Sequence, residues 1–93
     1  AIDAAIDALA RGLALELAPR VRVNVVSPST TATPLWDRLG EAGRAHKLAQ
    51  VAARLPLARV AQPEDIASAV LFVACNPFAT GSVVLIDGGD SLV

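Results

Sequence analysis

A cluster of hydroxyl side chains follows a short apolar segment early in the chain. Residues 21–26 are mostly β-branched and apolar, and a loop over residues 27–34 follows them. This loop contains Pro28 and five hydroxyl residues: Ser27, Ser29, Thr30, Thr31 and Thr33. Proline fixes φ and is predicted to end the strand, and the residues after it offer uncharged N–H groups and hydroxyls. Loops at the carboxyl ends of strands bind ligands in open α/β sheets, so this loop is a candidate site for an amide or for phosphate oxygens. A polar turn without a ligand is the alternative.

Other reactive side chains have simpler structural interpretations. His46 lies among charged residues, as a solvated helix position would. Cys75 is predicted to be a small buried apolar side chain, and Asp87, which precedes two glycines, is predicted to form a turn rather than bind a ligand. Leu35 and Trp36 are predicted to pack an amphipathic helix, with a substrate pocket as the alternative. The single cysteine excludes an intramolecular disulfide and a cysteine zinc cluster, and no metal site is predicted.

The composition points to part of a larger core. The chain has 93 residues, of which 54% are hydrophobic and only 3% aromatic, so alanine, valine and leucine supply the apolar excess. Such a composition suits elements that are covered on both faces, as in a parallel sheet flanked by helices. We therefore expect residues 1–93 to form a single partial domain, cut from a larger core or completed by association.

Charge and hydropathy exclude several classes of partner. The formal net charge of −1 leaves no basic footprint for nucleic acid or for an anionic membrane. No apolar run reaches the roughly 18–20 residues needed to span a bilayer, and no signal peptide opens the chain. The expected location is the cytoplasm.

The first elements are predicted from apolar spacing. Apolar residues recur at three- and four-residue intervals over 1–18, which predicts a helix that Pro19 stops: Ile2, Ile6, Leu9, Leu13 and Leu17. Residues 21–26 then form a predicted buried strand.

The remaining elements complete a βαβ unit. Residues 34–54 predict one or two short amphipathic helices hinged near Gly40 or Gly43. Gln62 and Pro63 begin a helix that ends at Asn76, and residues 82–86 form the last strand. The fold class is therefore α/β, with two strands that are predicted to be parallel neighbours.

Several of these residues resemble motifs of the short-chain dehydrogenase/reductases. That family carries Asn-x-Val-x-Pro-Gly and a following threonine on the corresponding strand, which Asn24, Val26, Pro28 and Thr33 match. Two later stretches, residues 59–67 and 79–89, resemble the start of the family's last long helix and its closing strand. The resemblance covers nearly the whole chain. It implies the C-terminal part of a Rossmann-like doubly wound parallel sheet, in an enzyme that uses NAD or NADP.

The resemblance also implies which residues meet the cofactor. Pro28, Ser29, Thr31 and Thr33 correspond to the loop around the nicotinamide, with the Thr31 backbone and the Thr33 side chain on the carboxamide. Ser29 departs from the family's glycine. A side chain at that position would crowd the cofactor or demand an unfavourable dihedral angle.

The family's catalytic groups have no counterpart in these 93 residues. The glycine-rich phosphate loop and the catalytic serine belong to earlier elements, and the tyrosine position falls two residues before Ala1. The chain contains no tyrosine, and Asp3 occupies the position of the family's lysine. A carboxylate raises the pKa of a neighbouring tyrosine, whereas a lysine lowers it. No catalytic residue is therefore predicted.

Two functions from different classes follow. The first is the C-terminal portion of an NAD(P)-dependent alcohol/carbonyl oxidoreductase, inactive as an isolated fragment. The alternative is a non-enzymatic, self-associating module left by truncation or proteolysis. The expected partners are further copies of the chain, as a dimer or tetramer, or the missing N-terminal half.

Overall fold

The computed structural model describes residues 2–93 as an α/β arrangement of three helices and two strands, with two short 3-10 segments. The element order confirms the predicted helix, strand, helical excursion, helix and strand. Position 1 of the predicted first helix lies outside the described residues. In chain order the elements are α1 (Ile2–Leu17), β1 (Val25–Pro28), a 3-10 helix (Pro34–Leu39), α2 (Gly40–Arg54), α3 (Pro63–Cys75), β2 (Val83–Ile86) and a 3-10 turn (Asp90–Leu92).

The two strands pair in parallel, as the sequence predicts. Their register places Val25 opposite Val83 and Pro28 opposite Ile86. The strand ends at Pro28, as predicted, but it runs two residues past the predicted bound at Val26 and includes the proline itself. The amides of Val25 and Ser29 both donate to the β2 side. Alternation along the ladder therefore turns the nitrogen of Pro28 to the opposite edge, where a missing N–H costs no hydrogen bond to β2.

The start of β1 also differs from the predicted bounds. Residues 21–24 lie outside the strand. Asn24 donates from Nδ2 to the Ala79 carbonyl at 2.9 Å and accepts from the Ser82 amide at 3.1 Å. The Val23 amide donates to the Thr80 hydroxyl at 3.2 Å, and the Val23 carbonyl accepts from the Gly81 amide at 2.7 Å. Side-chain bonds and one backbone bond thus join this segment to the loop before β2 in place of a strand ladder.

Arg22 fastens the C-terminal end of α3. Its Nη1 donates to the carbonyls of Val73 at 2.7 Å and Ala79 at 3.0 Å, and its Nη2 donates to the carbonyl of Ala74 at 2.7 Å. The last carbonyls of a helix have no intrahelical partner, and the helix dipole makes that end attractive to a cation. One guanidinium thus joins the segment before β1, the end of α3 and the loop before β2.

Helix α1 buries alanines rather than its larger apolar residues. Ala10 and Ala14 are buried, whereas Leu9 is 62% exposed and Ile6 48% exposed. The apolar spacing therefore predicts the helix correctly, but Ile6 and Leu9 lie outside the small core. Ala14 lies against Gly81, where a Cβ would be 3.7 Å from the Ala14 Cβ. Small residues allow this close approach, and the larger side chains extend beyond the sheet of two strands.

Helix α3 begins at Pro63, as predicted, and the structure shows that a capping box closes its start. The Asp65 carboxylate accepts from the Gln62 amide at 2.8 Å and from the Arg59 guanidinium at 2.8 and 3.2 Å. Hydrogen bonds from Arg59 and from the Gln62 amide lower the pKa of Asp65 from 3.8 to about 2. The carboxylate joins the helix start to the segment that leads into it.

We expect the stability of the fold to fall when Asp65 is protonated. Because its pKa is depressed in the folded state, the contribution is present above about pH 4 and is lost as the pH falls toward about 2. Urea unfolding between these pH values should show a smaller loss in Asp65→Asn than in the native chain. Glu64→Gln removes an adjacent carboxylate that binds neither Arg59 nor the Gln62 amide, and serves as control. Equal pH sensitivity in the native chain and Asp65→Asn would contradict the assignment.

The core of the described chain is small. Its buried apolar residues are Ala10, Ala14, Val51, Leu55 and Val73. Large apolar side chains stay exposed on helices α1 and α3, among them Leu9 on α1 and Leu71 on α3. Phe78, which follows α3, is 98% exposed. None of the helices within residues 2–93 meets the length and hydropathy needed to cross a bilayer. The apolar faces of α1 and α3 are therefore left open by the elements of this chain.

Candidate site in the loop after β1

Three of the four predicted cofactor-binding residues share one groove. Pro28, Thr31 and Thr33 line an open groove of about 670 Å³ beside helix α3. Its other lining residues are all apolar: Pro63, Ile66, Ala67, Val70, Leu71 and Ala74. Ser29 is not among them. The groove therefore presents almost only apolar surface beside the loop.

A short backbone bridge holds the loop against the segment before α3. The Ala61 amide donates to the Thr30 carbonyl at 3.2 Å, and the Ala32 amide donates to the Ala61 carbonyl at 2.8 Å. Both bonds come from one residue of the facing segment. They hold the two peptide units that flank Thr31.

Trp36 holds the same loop from the other side. Its indole Nε1 donates to the Thr31 carbonyl at 3.0 Å, and its backbone N–H donates to the Thr33 carbonyl at 3.2 Å. The Thr31 hydroxyl donates to the Ser29 carbonyl at 3.0 Å. Among the hydrogen bonds of residues 2–93, the Thr31 amide and the Thr33 hydroxyl have no protein partner. One donor and one hydroxyl are therefore left for a ligand.

Ser29 faces a different part of the molecule. Its Oγ donates to the Asp90 carboxylate at 2.9 Å, and its amide donates to the Ile86 carbonyl at 3.4 Å. Ala58 is the only non-glycine residue with positive φ in the described chain, so Ser29 does not occupy the left-handed region. Of the two expectations for a side chain at this position, the unfavourable dihedral angle is therefore absent. The serine ties the loop to the C-terminal 3-10 turn.

Asp3 lies on the α1 side of the loop. Together with Asp7, it lines a cavity of about 420 Å³ that also contains Pro28, Ser29 and Asp90. No set of three or more metal-ligating side chains is assembled anywhere in the described part of the chain. A carboxylate rather than a cation thus borders the loop where the resemblance expects a lysine.

Asp87 forms a turn, as the sequence predicts. Its Oδ1 accepts from the Gly89 amide at 3.1 Å and its Oδ2 accepts from the Ser91 amide at 3.1 Å. Hydrogen bonds from Ser91 and from the Gly89 amide lower the pKa of this carboxylate. Gly88 and Gly89 follow with φ of 60° and 92°. The aspartate is committed to local backbone amides.

The remaining candidates have mixed outcomes. His46 is exposed on α2, which agrees with a solvated position. Cys75 is exposed, so the prediction of a buried side chain is wrong. It lies two residues after the buried Val73, about 200° around the helix, and therefore on the opposite face. Leu35, in the 3-10 helix, is 64% exposed, whereas Trp36 is half-buried and bonded to the loop.

Comparison with known proteins decides the family. A family model described as enoyl-(acyl carrier protein) reductase matches residues 1–91. The chain belongs to the short-chain dehydrogenase/reductase family. The short-chain dehydrogenase/reductase homolog YusR of Bacillus subtilis is 34% identical over 88 residues, which cover 95% of this chain and 64% of YusR.

Longer members of the family contain the same unit. The 3-oxoacyl-[acyl-carrier-protein] reductase FabG of Thermotoga maritima is 38% identical over 92 residues, which cover 96% of this chain and 36% of that protein. A crystal structure of a small-chain dehydrogenase in complex with NADPH superposes with a TM-score of 0.90 at 39% identity, covering 99% of this chain and 42% of the other. This short-chain dehydrogenase/reductase chain thus spans about a third to two fifths of these two relatives, and is a fragment of the family's Rossmann-like fold.

Sequence reasoning misses the roles of two residues, Trp36 at the loop and Arg22 at the end of α3. The sequence predicts Arg22 within a strand and Trp36 on a helix face. Arginine in a predicted buried strand is a signal that its side chain needs acceptors, and the tryptophan lies only five residues after Thr31. Neither signal identifies the carbonyls that the side chain reaches.

Proposed function

We propose that this chain is the nicotinamide-side, C-terminal portion of an NAD(P)-dependent oxidoreductase acting on alcohol/carbonyl pairs. The observation that supports this most is the convergence of Pro28, Thr31 and Thr33 on one groove in a chain of this family. The NADPH complex of the structural relative supports the cofactor class. Residues 1–93 are one partial domain in this proposal.

The free polar groups of the loop fit a primary carboxamide. The Thr31 amide offers a donor for the carboxamide oxygen, and the Thr33 hydroxyl oxygen offers an acceptor for its NH₂ group. Pro28 and the apolar groove beside it would contact the faces of the nicotinamide ring. NAD(P), when bound, supplies hydride transfer. Ser29 supports the loop through Asp90 and takes no direct part.

The chain by itself is proposed to be inactive. It holds no tyrosine to move a proton, and the Asp3 carboxylate borders the loop in place of a cation. General acid–base groups contribute about 10²–10⁴-fold to a rate, and loss of orientation removes more. No turnover is expected from the purified chain with NADH or NADPH and a panel of ketones and aldehydes. Cofactor-dependent turnover that co-purifies with the chain would overturn this part of the proposal.

Cofactor binding is the direct test. Calorimetric titration with NAD⁺ and NADP⁺ should detect only weak association, with Kd in the millimolar range, or about −4 kcal/mol. Thr33→Val removes the hydroxyl at nearly constant shape and should weaken the association further. Thr30→Val alters a neighbouring hydroxyl outside the groove and should not. Equal affinities for both variants and the native chain would contradict the assigned loop.

A self-associating module is the second candidate, and the exposed apolar faces of α1 and α3 favour it. Uncovered apolar surface costs about 25 cal/mol per Å², and the free edge of β1 invites pairing. The partner is then a second copy, as a dimer or tetramer, or an N-terminal half. Sedimentation equilibrium of the calorimetry sample tests self-association. A self-associating chain gives an apparent mass above the 9.5 kDa of one copy, and a stable monomer contradicts self-association.

A further inference from the structure

We propose that Trp36 is a positioning residue that presents the Thr31 amide and the Thr33 hydroxyl to the carboxamide of the cofactor. This inference rests on the proposed function, since it concerns how the same loop is held. Trp36 would touch the loop and not the ligand.

Both N–H donors of Trp36 bind the loop. The indole N–H binds the Thr31 carbonyl at 3.0 Å, and the backbone N–H binds the Thr33 carbonyl at 3.2 Å. A tryptophan residue has no other donor. A half-buried indole N–H needs an acceptor, and here that acceptor is a carbonyl of the loop, whereas the neighbouring Leu35 is 64% exposed.

The geometry of the peptide unit explains why this matters for Thr31. In a trans peptide the N–H points opposite to the preceding carbonyl. The Thr30 carbonyl accepts from Ala61, so the Thr31 N–H points away from that segment. The next peptide unit is held at both ends, because the Thr31 carbonyl binds Trp36 and the Ala32 amide binds Ala61. Without the indole, that unit keeps only one of its two anchors.

The same contacts make the loop favour an amide over a ketone as its ligand. Trp36 occupies the carbonyls of Thr31 and Thr33, which leaves the Thr33 hydroxyl as an acceptor for an NH₂ group. A methyl ketone of the same shape could accept from the Thr31 amide but could not donate to Thr33. Correct placement of Thr33 relative to Thr31 is therefore what discriminates between an amide and a ketone.

The test compares two dinucleotides by NMR. NAD⁺ and its 3-acetylpyridine analogue, which carries a methyl ketone in place of the amide, are titrated while the backbone amide signals of Thr31 and Thr33 are followed. The native chain should bind NAD⁺ about fivefold more tightly than the 3-acetylpyridine analogue, the difference that one net hydrogen bond supplies. Trp36→Phe keeps an aromatic ring, should weaken NAD⁺ binding about fivefold and should abolish the preference. Leu35→Ala is the control and should retain both the native affinity for NAD⁺ and the preference for NAD⁺ over the analogue.

The outcomes separate the two proposals. A folded native chain whose loop signals respond to neither dinucleotide overturns the proposed function. A native chain that prefers NAD⁺, with a folded Trp36→Phe variant that keeps the same preference, overturns the role of Trp36 alone.

A measurement on the native chain covers the case in which Trp36→Phe does not fold. The protein contains one tryptophan, so its indole N–H gives a single signal. Hydrogen exchange at that position should be slow and should slow further with NAD⁺. Exchange as fast as in a free indole, or unchanged by a bound dinucleotide, overturns the proposal.

Discussion

Gly89→Ala should lower the free energy of unfolding by about 3 kcal/mol, because two costs coincide at this position. Gly89 has a φ of 92°, a conformation that a residue with a Cβ rarely adopts. An added Cβ would also lie 2.6 Å from Cγ and 2.8 Å from Cβ of Pro56, whose ring cannot swing aside like a flexible chain. Chemical denaturation followed by circular dichroism measures the loss.

The adjacent glycine provides the matched control. Gly88 also has a positive φ, of 60°, but an added Cβ would meet its nearest neighbours at 3.8 and 3.9 Å, which is ordinary contact. Gly88→Ala should therefore cost only the conformational part, about 1–2 kcal/mol. Equal losses in the two variants would show that contact with Pro56 is unimportant.

Arg22→Met should lower the free energy of unfolding by about 2–3 kcal/mol. The change keeps the aliphatic stem but removes donors to the carbonyls of Val73, Ala74 and Ala79. The end of α3 would then lose both its hydrogen bonds and a favourable charge near the negative end of the helix dipole. Hydrogen exchange of the α3 amides, together with the unfolding midpoint, reports whether the loss is localised there.

Two further variants separate charge from geometry. Arg22→Lys keeps the charge but not the forked donor geometry, so it should recover only part of the lost stability. Arg20 lies two residues before Arg22, and its exposed side chain makes none of these contacts. Arg20→Met therefore removes a positive charge without removing a bond to these carbonyls. A loss in Arg20→Met as large as in Arg22→Met would mean that net charge, not the carbonyl contacts, matters.

The candidate site could be predicted in position but not in detail. The loop follows from a strand that leads into a polar stretch, a local pattern, whereas the choice of Pro28, Thr31 and Thr33 within it follows from the family resemblance. The separation of Ser29 from these residues depends on Asp90, 61 residues away in the chain. The role of Trp36 depends on which carbonyls the folded loop turns toward it. Hydrogen bonds between distant segments leave no periodic trace.

The sequence by itself determined the order of the elements, the parallel pairing of the strands, a break near Gly40 or Gly43, which the structure places at Gly40, and the start of α3. The elements rest on short-range chemistry, namely apolar periodicity, the restricted φ of proline and carboxylates in the first turn of a helix, and the parallel pairing follows from the βαβ order. Only the tertiary structure decided that α1 buries Ala10 and Ala14, that β1 continues through Pro28, and that Cys75 is exposed. Those outcomes depend on which face meets a neighbour and which edge is paired, and an element's own sequence does not contain its neighbours.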